Sequence, residues 1–194
     1  MGHRSICIIG ARNGSKRLPG KNKLKIRGVP LFFFFLNAAK RSQIFEEIIF
    51  TTDDKDILDE LHQQKGIIVH ERPSSLADSK ASMWDVTNQL MKQFTSLFQD
   101  ITSFSIITPC HPFRKPDHII GAFNKFKKEK ADYLISVSEL PCPPELTFEI
   151  TDNRINRSKK GLVRKGDYKK KYYPNGAITF IDKSFYQQTD NLYS

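Results

Sequence analysis

Residues 5–22 read Ser-Ile-Cys-Ile-Ile-Gly-Ala-Arg-Asn-Gly-Ser-Lys-Arg-Leu-Pro-Gly-Lys-Asn, a short apolar run that breaks at Gly10 into a long polar loop. A brief apolar run ended by glycine is the pattern of a parallel strand buried on both faces. The loop sets Arg12, Lys16, Arg17 and Lys21 among Asn13, Gly14, Pro19, Gly20 and Asn22, more charge and backbone freedom than a connecting turn needs. Glycines let backbone N–H groups approach an anion closely, arginine gives forked contacts to phosphate oxygens, and lysine gives a point charge. This is the chemistry of a polyphosphate cradle, with a solvated basic loop as the alternative. It is neither a Walker loop nor a dinucleotide fingerprint, because Gly-Lys-Ser/Thr and Gly-x-Gly-x-x-Gly are both missing at the required spacing.

Further along, strand and helix signals alternate. Strands are expected at 6–9, 47–52, 67–70, 104–108, 133–137 and 177–181. Between them the spacing predicts a helix over 31–41 opened by Pro30, and one over 55–65 with Asp54 as N-cap and Gly66 as C-cap. Two more are predicted over 82–98 and 117–130. The four phenylalanines at 32–35 are too many for one stripe and imply a helix packed on the sheet and on a second element. Strands separated by helices mean an α/β fold with a doubly wound, mostly parallel sheet, of Rossmann-like build. Ligands then bind at the carboxyl ends of the strands, which singles out the loops 10–23, 52–54, 70–82, 108–116 and 138–145. The stretch 152–171, rich in Lys, Arg, Asn and Gly, reads as a basic excursion from one domain covering 1–194.

The chain has 194 residues and a formal charge of +10, so its partners are expected to be anionic. Cysteines at 7, 110 and 142 have neither disulfide nor zinc spacing, which suits a reducing, cytoplasmic setting. No apolar run approaches the ~20 residues that span a bilayer, and Met-Gly-His-Arg is followed by no apolar signal region.

The first loop resembles the signature of the sugar-acid cytidylyltransferases, the acylneuraminate or CMP-N-acetylneuraminate synthetase family, whose members read A-R-x-x-S-K-x-[ILV]-P-x-K-N. Four further blocks resemble family landmarks in order: TTDDKDI at 51–57, ERPSSLADSKAS at 71–82, TPCHPFRKPDHI at 108–119 and YPNGAITFI at 173–181. The resemblance implies a nucleotide-diphospho-sugar transferase fold. It also implies transfer of CMP from CTP to the anomeric hydroxyl of a nonulosonic sugar acid, with Mg²⁺ and release of pyrophosphate. By matched position, Arg12, Ser15, Lys16 and Lys21 would hold the triphosphate, with Arg12 and Lys21 as catalytic charges. Asn22 would read the cytosine edge, and Arg72 and Ser82 would lie on the nucleotide side. Thr108, Asn175, Gly176 and Ala177 would face the sugar. A homodimer joined through the region 140–172 is implied as well.

Three departures from the family pattern stand out. Thr108 replaces a glutamine, with Cys110 and His111 in place of Thr and Ser; Asp78 sits one position early; and the family's Asp-x-Asp metal pair would lie beyond Ser194, so no metal ligand is assigned. Two other readings therefore remain: a family member that binds nucleotide or sugar with impaired catalysis, and a basic nucleic-acid-binding α/β protein carried by Arg154 to Lys171 and its neighbouring tyrosines. The order of Gly, Ser, Pro and Asn among the cations of the first loop weighs against nucleic acid. His111, His3, His62 and His118 have no metal spacing, and Asp53 and Asp54 read as strand-end and N-cap groups.

Overall fold

The computed structural model describes residues 3–15, 18–78, 80–109, 111–142, 144–157 and 169–189. In chain order the elements are β1 (Ser5–Gly10), β2 (Lys25–Ile26), β3 (Val29–Pro30), α1 (Leu31–Ser42), β4 (Glu47–Thr52), α2 (Lys55–His62) and β5 (Ile68–Glu71). There follow α3 (Met83–Gln93), α4 (Thr95–Asp100), β6 (Ser103–Ile107), α5 (Pro116–Lys128), β7 (Tyr133–Glu139), β8 (Phe148–Thr151), β9 (Arg154–Arg157), β10 (Tyr172–Asp182) and α6 (Lys183–Gln188). The chain divides into two compact units, Met1–Ile135 with Gly176–Ser194, and Ser136–Asn175.

The main sheet has six strands in the order β5-β4-β1-β6-β10-β7. β1 pairs in parallel with β4 on one side and β6 on the other, β4 pairs in parallel with β5, and β10 runs antiparallel to β6. All six residues of β1 are buried. Its pleat sends Cys7 and Ile9 to one face and Ile6 and Ile8 to the other, and each face has its own apolar layer. On the first lie Phe32, Phe35 and Leu36 of α1, Ile57 and Leu61 of α2, and Ile119, Phe123 and Phe126 of α5. On the second lie Val86 and Leu90 of α3, Phe98 of α4 and Tyr186 of α6. Alternation of strand and helix in the sequence thus becomes a sheet covered on both faces. No helix among the described residues is long and apolar enough to cross a membrane.

The phenylalanine run behaves as its crowding implied. Phe32 meets Phe50 of β4 edge-on at 6.0 Å, while the guanidinium of Arg114, from the loop after β6, sits 5.7 Å over the Phe35 ring. Other expectations need correction. The helix expected over 55–65 ends at His62, with Gln63 as its C-cap, and Gly66 turns the chain later at φ +71°. Asp54 stands at the N-cap but does not cap with its side chain; its carboxylate instead pairs with Lys23 Nζ at 3.2 Å. The single helix expected over 82–98 is two, because Phe94 leaves helical geometry at φ −111°, ψ 47° and packs its ring on His70. The last strand starts at Tyr172, earlier than its apolar run, and α6 follows it with the Asp182 carboxylate capping Ser184 and Phe185. The two-strand hairpin of β2 and β3 carried no sequence signal.

Within Ser136–Asn175, β8 and β9 form an antiparallel hairpin with Ile150 opposite Ile155. The sequence had suggested only a basic excursion over 152–171, of which 158–168 lie outside the described residues. Asn175 Oδ1 accepts from Ser136 Oγ at 2.6 Å, and its Nδ2 donates to Ser138 Oγ at 2.9 Å.

Phe180 is fully buried amid Phe123, Phe126 and Phe45, with ring centroids 5.3–5.9 Å away. Phe180→Ala should therefore cost about 3–5 kcal/mol in urea unfolding of the purified chain, with little change in m-value. A loss under about 1 kcal/mol would show that this cluster collapses around the cavity.

Candidate functional site

β1 ends between β4 and β6, where the chain's windings on either side diverge, the position at which open α/β sheets bind ligands. A cleft of about 570 Å³ opens there, lined by Gly10, Arg12, Ser15, Leu18, Lys21, Asn22, Arg72, Ala81, Met83, Thr108 and Pro109. It therefore gathers Arg12, Ser15, Lys21, Asn22, Arg72 and Thr108 of the residues singled out from the sequence. Lys16 lies outside the described residues.

The loop after β1 is shaped by its own backbone and by one carboxylate. Asn13 N–H donates to Asp53 Oδ1 at 2.8 Å, and Ser15 N–H to the Asn13 carbonyl at 2.7 Å. Gly20, at φ +64°, starts a short 3-10 turn over Lys21–Lys23 that buries Asn22. The Asn22 amide nitrogen donates to the Arg12 carbonyl at 2.9 Å, and Oδ1 is the other end of the same amide. That oxygen is buried without a hydrogen-bond partner among the described residues. A buried acceptor left so costs about 1–3 kcal/mol, so this amide is set up to receive a donor.

Arg12 donates from one terminal nitrogen to the Asp78 carbonyl at 2.8 Å. Arg72 is buried, and donates to the Thr51 carbonyl at 3.1 Å and to Thr51 Oγ1 at 3.4 Å. Desolvation is the main force lowering its pKa from the ordinary value; the charge of Asp53 opposes it and that of Arg12 adds to it. The guanidinium stays charged all the same. Among the described residues neither Arg12 nor Arg72 makes an ion pair. Two mutually repelling cations in one cleft are an arrangement that an anion relieves.

Ser82 does not join them. Its hydroxyl accepts from Asp85 N–H at 3.1 Å and donates to the Asp85 carboxylate at 2.7 Å, closing a capping box on α3. Its neighbours Ala81 and Met83 line the cleft instead. Thr108 reaches the cleft wall with its hydroxyl donated to the Gly176 carbonyl at 2.7 Å. Ala177 lies in a second hollow of about 440 Å³, with His111, Pro112, Phe113, Arg114, His118 and Ile178. Asn175 belongs to the other compact unit.

Sequence reading missed the supports. Asp53 reads from the sequence as a strand-end group, yet it anchors the loop; Arg114, in the block at 108–119, is buried and donates to the Thr108 carbonyl at 3.1 Å. Its position in a loop at a strand's carboxyl end was the available signal. Gly10 is needed for space: a Cβ there would lie 2.5 Å from Met83 Sδ and 2.9 Å from an Arg72 terminal nitrogen. Gly10→Ala should cost about 1–3 kcal/mol in chemical denaturation, and adding Met83→Ala should recover part of it. Equal stability of Gly10→Ala and the parent would contradict this packing.

The family model described as Cytidylyltransferase matches residues 6–190. The chain is 32% identical over 195 residues to an N-acylneuraminate cytidylyltransferase of Streptococcus agalactiae serotype V, with 98% of this chain and 46% of the relative covered. It is 26% identical over 193 residues to a pseudaminic acid cytidylyltransferase of Campylobacter jejuni, with 98% and 83% covered. The chain thus spans about half the length of the streptococcal relative. In fold it resembles a CMP:2-keto-3-deoxy-manno-octonic acid synthetase solved with CTP, at TM-score 0.68 and 18% identity, over 97% of this chain and 80% of that one.

Proposed function

The chain belongs to the cytidylyltransferase family, and from that premise we propose that it binds CTP in the cleft after β1 and transfers CMP to a nonulosonic sugar acid. In the reaction, the anomeric oxygen of the acceptor forms a bond to the α-phosphorus, the bond from that phosphorus to the pyrophosphate oxygen breaks, and the hydroxyl proton is released. The observation that carries this reading is the convergence of Arg12, Lys21 and Arg72 with the half-satisfied amide of Asn22 in one cleft. The three cations lie along the triphosphate and stabilise the charge that builds on the departing pyrophosphate, so most of the catalysis is positioning and electrostatics. Ser15 offers its hydroxyl to the same phosphates.

Asn22 sets the choice of base. One of its N–H groups goes to the Arg12 carbonyl, and its partnerless Oδ1 offers an acceptor, which the amino group of cytosine satisfies and the carbonyl at the same place in uracil does not. The acceptor sugar is assigned to the Thr108 and Gly176 side of the cleft, with Ala177 beside it. Thr108 keeps its hydroxyl on a backbone carbonyl, so it shapes that wall more than it reaches across it.

Magnesium is part of the proposal as the companion of the triphosphate, whose charge it would offset. Among the described residues no group of three or more His, Cys, Asp or Glu side chains could hold a metal ion. The roles given to the protein therefore rest on Arg12, Lys21, Arg72 and Asn22. We assign the activity to the cytoplasm, where CTP is made, and to a homodimer. Support for the dimer comes from β8 and β9, where Phe148, Ile150 and Ile155 share one face and are 53%, 74% and 70% exposed. A second copy of the chain is the partner proposed for that face; nucleic acid is not.

The decisive measurement is pyrophosphate release from CTP with a panel of nonulosonic acids, with and without Mg²⁺. Turnover supports the transferase; saturable CTP binding with no turnover supports a family member that binds without catalysis. Arg12→Ala should weaken CTP binding by about 1.5–3 kcal/mol in calorimetry, and Asn22→Ala should narrow the preference for CTP over UTP; unchanged values would remove these residues from the site. Ile150→Lys with Ile155→Lys should convert a dimer to a monomer in light scattering, and an unaltered dimer would place the interface elsewhere.

A further inference from the structure

Behind Arg72 lies a buried histidine that the reaction does not use. His70 is 4% exposed and sits on β5, two residues before Arg72. Its Nε2 faces Gln93 Oε1 at 3.1 Å and its Nδ1 faces Thr51 Oγ1 at 2.9 Å. Thr51 is also the residue that seats Arg72, through its carbonyl at 3.1 Å and its hydroxyl oxygen at 3.4 Å.

With Gln93 Oε1 facing the ring, the network assigns the proton directions from Gln93 through His70 to Thr51. Gln93 Oε1 can only accept, so Nε2 carries the ring proton, and Nδ1 of the neutral imidazole is then an acceptor. The Thr51 hydroxyl must donate into Nδ1, and this turns its lone pairs toward the Arg72 Nε–H. Protonation of His70 adds a proton at Nδ1, so the threonine oxygen has to accept from it. The hydroxyl proton must then leave that line, the one oxygen is left accepting from two cationic donors, and the new imidazolium repels the guanidinium.

We propose that His70 is a positioning residue for Arg72: the neutral ring orients Thr51 so that the guanidinium is held in the cleft, and the protonated ring unseats it. The inference deepens the nucleotide-binding reading and rests on it for its consequence, though the relay itself does not need a ligand.

Burial lowers the pKa of His70 below its ordinary value; the Gln93 contact raises it, Arg72 lowers it and Glu71 raises it. These are the charged groups bearing on the ring from β5 and the loop after it, while β4 contributes the neutral Thr51, and α3 with its following residue contributes Gln93 and Phe94. Because the folded value is depressed, the native state favours the neutral ring. The seat is complete above the unfolded value near 6.5 and is lost as pH falls through the folded one.

The test follows the Arg72 Nε–H signal by NMR in the ligand-free chain as pH falls, in the parent and in His70→Asn. Asparagine keeps an acceptor near the place of Nδ1 and does not titrate. The Arg72 signal should move with the His70 ring in the parent and stay still in His70→Asn. CTP titrations should show affinity falling about tenfold more in the parent than in His70→Asn over the same pH range, which subtracts the titration of CTP itself. His70→Phe, which has no acceptor, should bind CTP more weakly than the parent at pH values where His70 is neutral, while thermal melts check that it remains folded. An Arg72 signal that ignores the histidine, or one that titrates equally in His70→Asn, overturns the relay. Absence of CTP binding with the NMR coupling intact would instead remove the nucleotide reading and leave the relay standing.

Discussion

The whole arrangement depends on how β1 is held. It is hydrogen-bonded in parallel on both sides and covered on both faces, so neither its register nor its depth can shift without exposing buried apolar surface. A one-residue slip would carry Cys7 and Ile9 to the layer now filled by Ile6 and Ile8. The carboxyl end of the strand is therefore a fixed point. Gly10 sits there with no side chain, and this lets Arg72 and Met83 close over the backbone. Everything the cleft does starts from that fixed end.

Around it the protein accepts local costs that a purely structural region would avoid. Arg72 is desolvated and repelled by Arg12, and the Asn22 carbonyl is buried without a donor. Each costs a little stability in the free chain, and on the proposed reading a ligand that brings negative charge and an amino group would relieve it. Such groups are tolerated because the sheet beneath is stiff: Thr51, fully buried on β4, holds Arg72, accepts from Ala11 N–H and meets His70. Coupling between histidine and arginine needs no long pathway. The proposed link is one threonine oxygen that meets both.

Several side chains that look equivalent in the sequence have different jobs. Ser82 and Asp54 both precede helices, but the serine hydroxyl is spent on its capping box while the aspartate turns to Lys23. Thr108 and Arg114 come from one loop, yet the threonine braces the Gly176 carbonyl and the arginine braces the threonine's own backbone. A local motif identifies the type of residue at a position. Which partner it finds depends on residues dozens of positions away.

Strand-helix alternation, the glycine-ended first strand and the cation-rich loop after it were legible in the sequence, because each is written in short-range patterning of apolar, charged and small residues. Arg12, Ser15, Lys21, Asn22, Arg72 and Thr108, singled out by their match to the family motifs, are brought together by one cleft. Three further features were not legible in the sequence: the insertion of the antiparallel β10 between β6 and β7, the break at Phe94, and the seating of Arg72 on Thr51 and His70. Each of these depends on which distant strands become neighbours, and no local period records that. Propensity and pattern chose the elements. Only burial of two apolar layers against one twisted sheet decided which side chains would face one another.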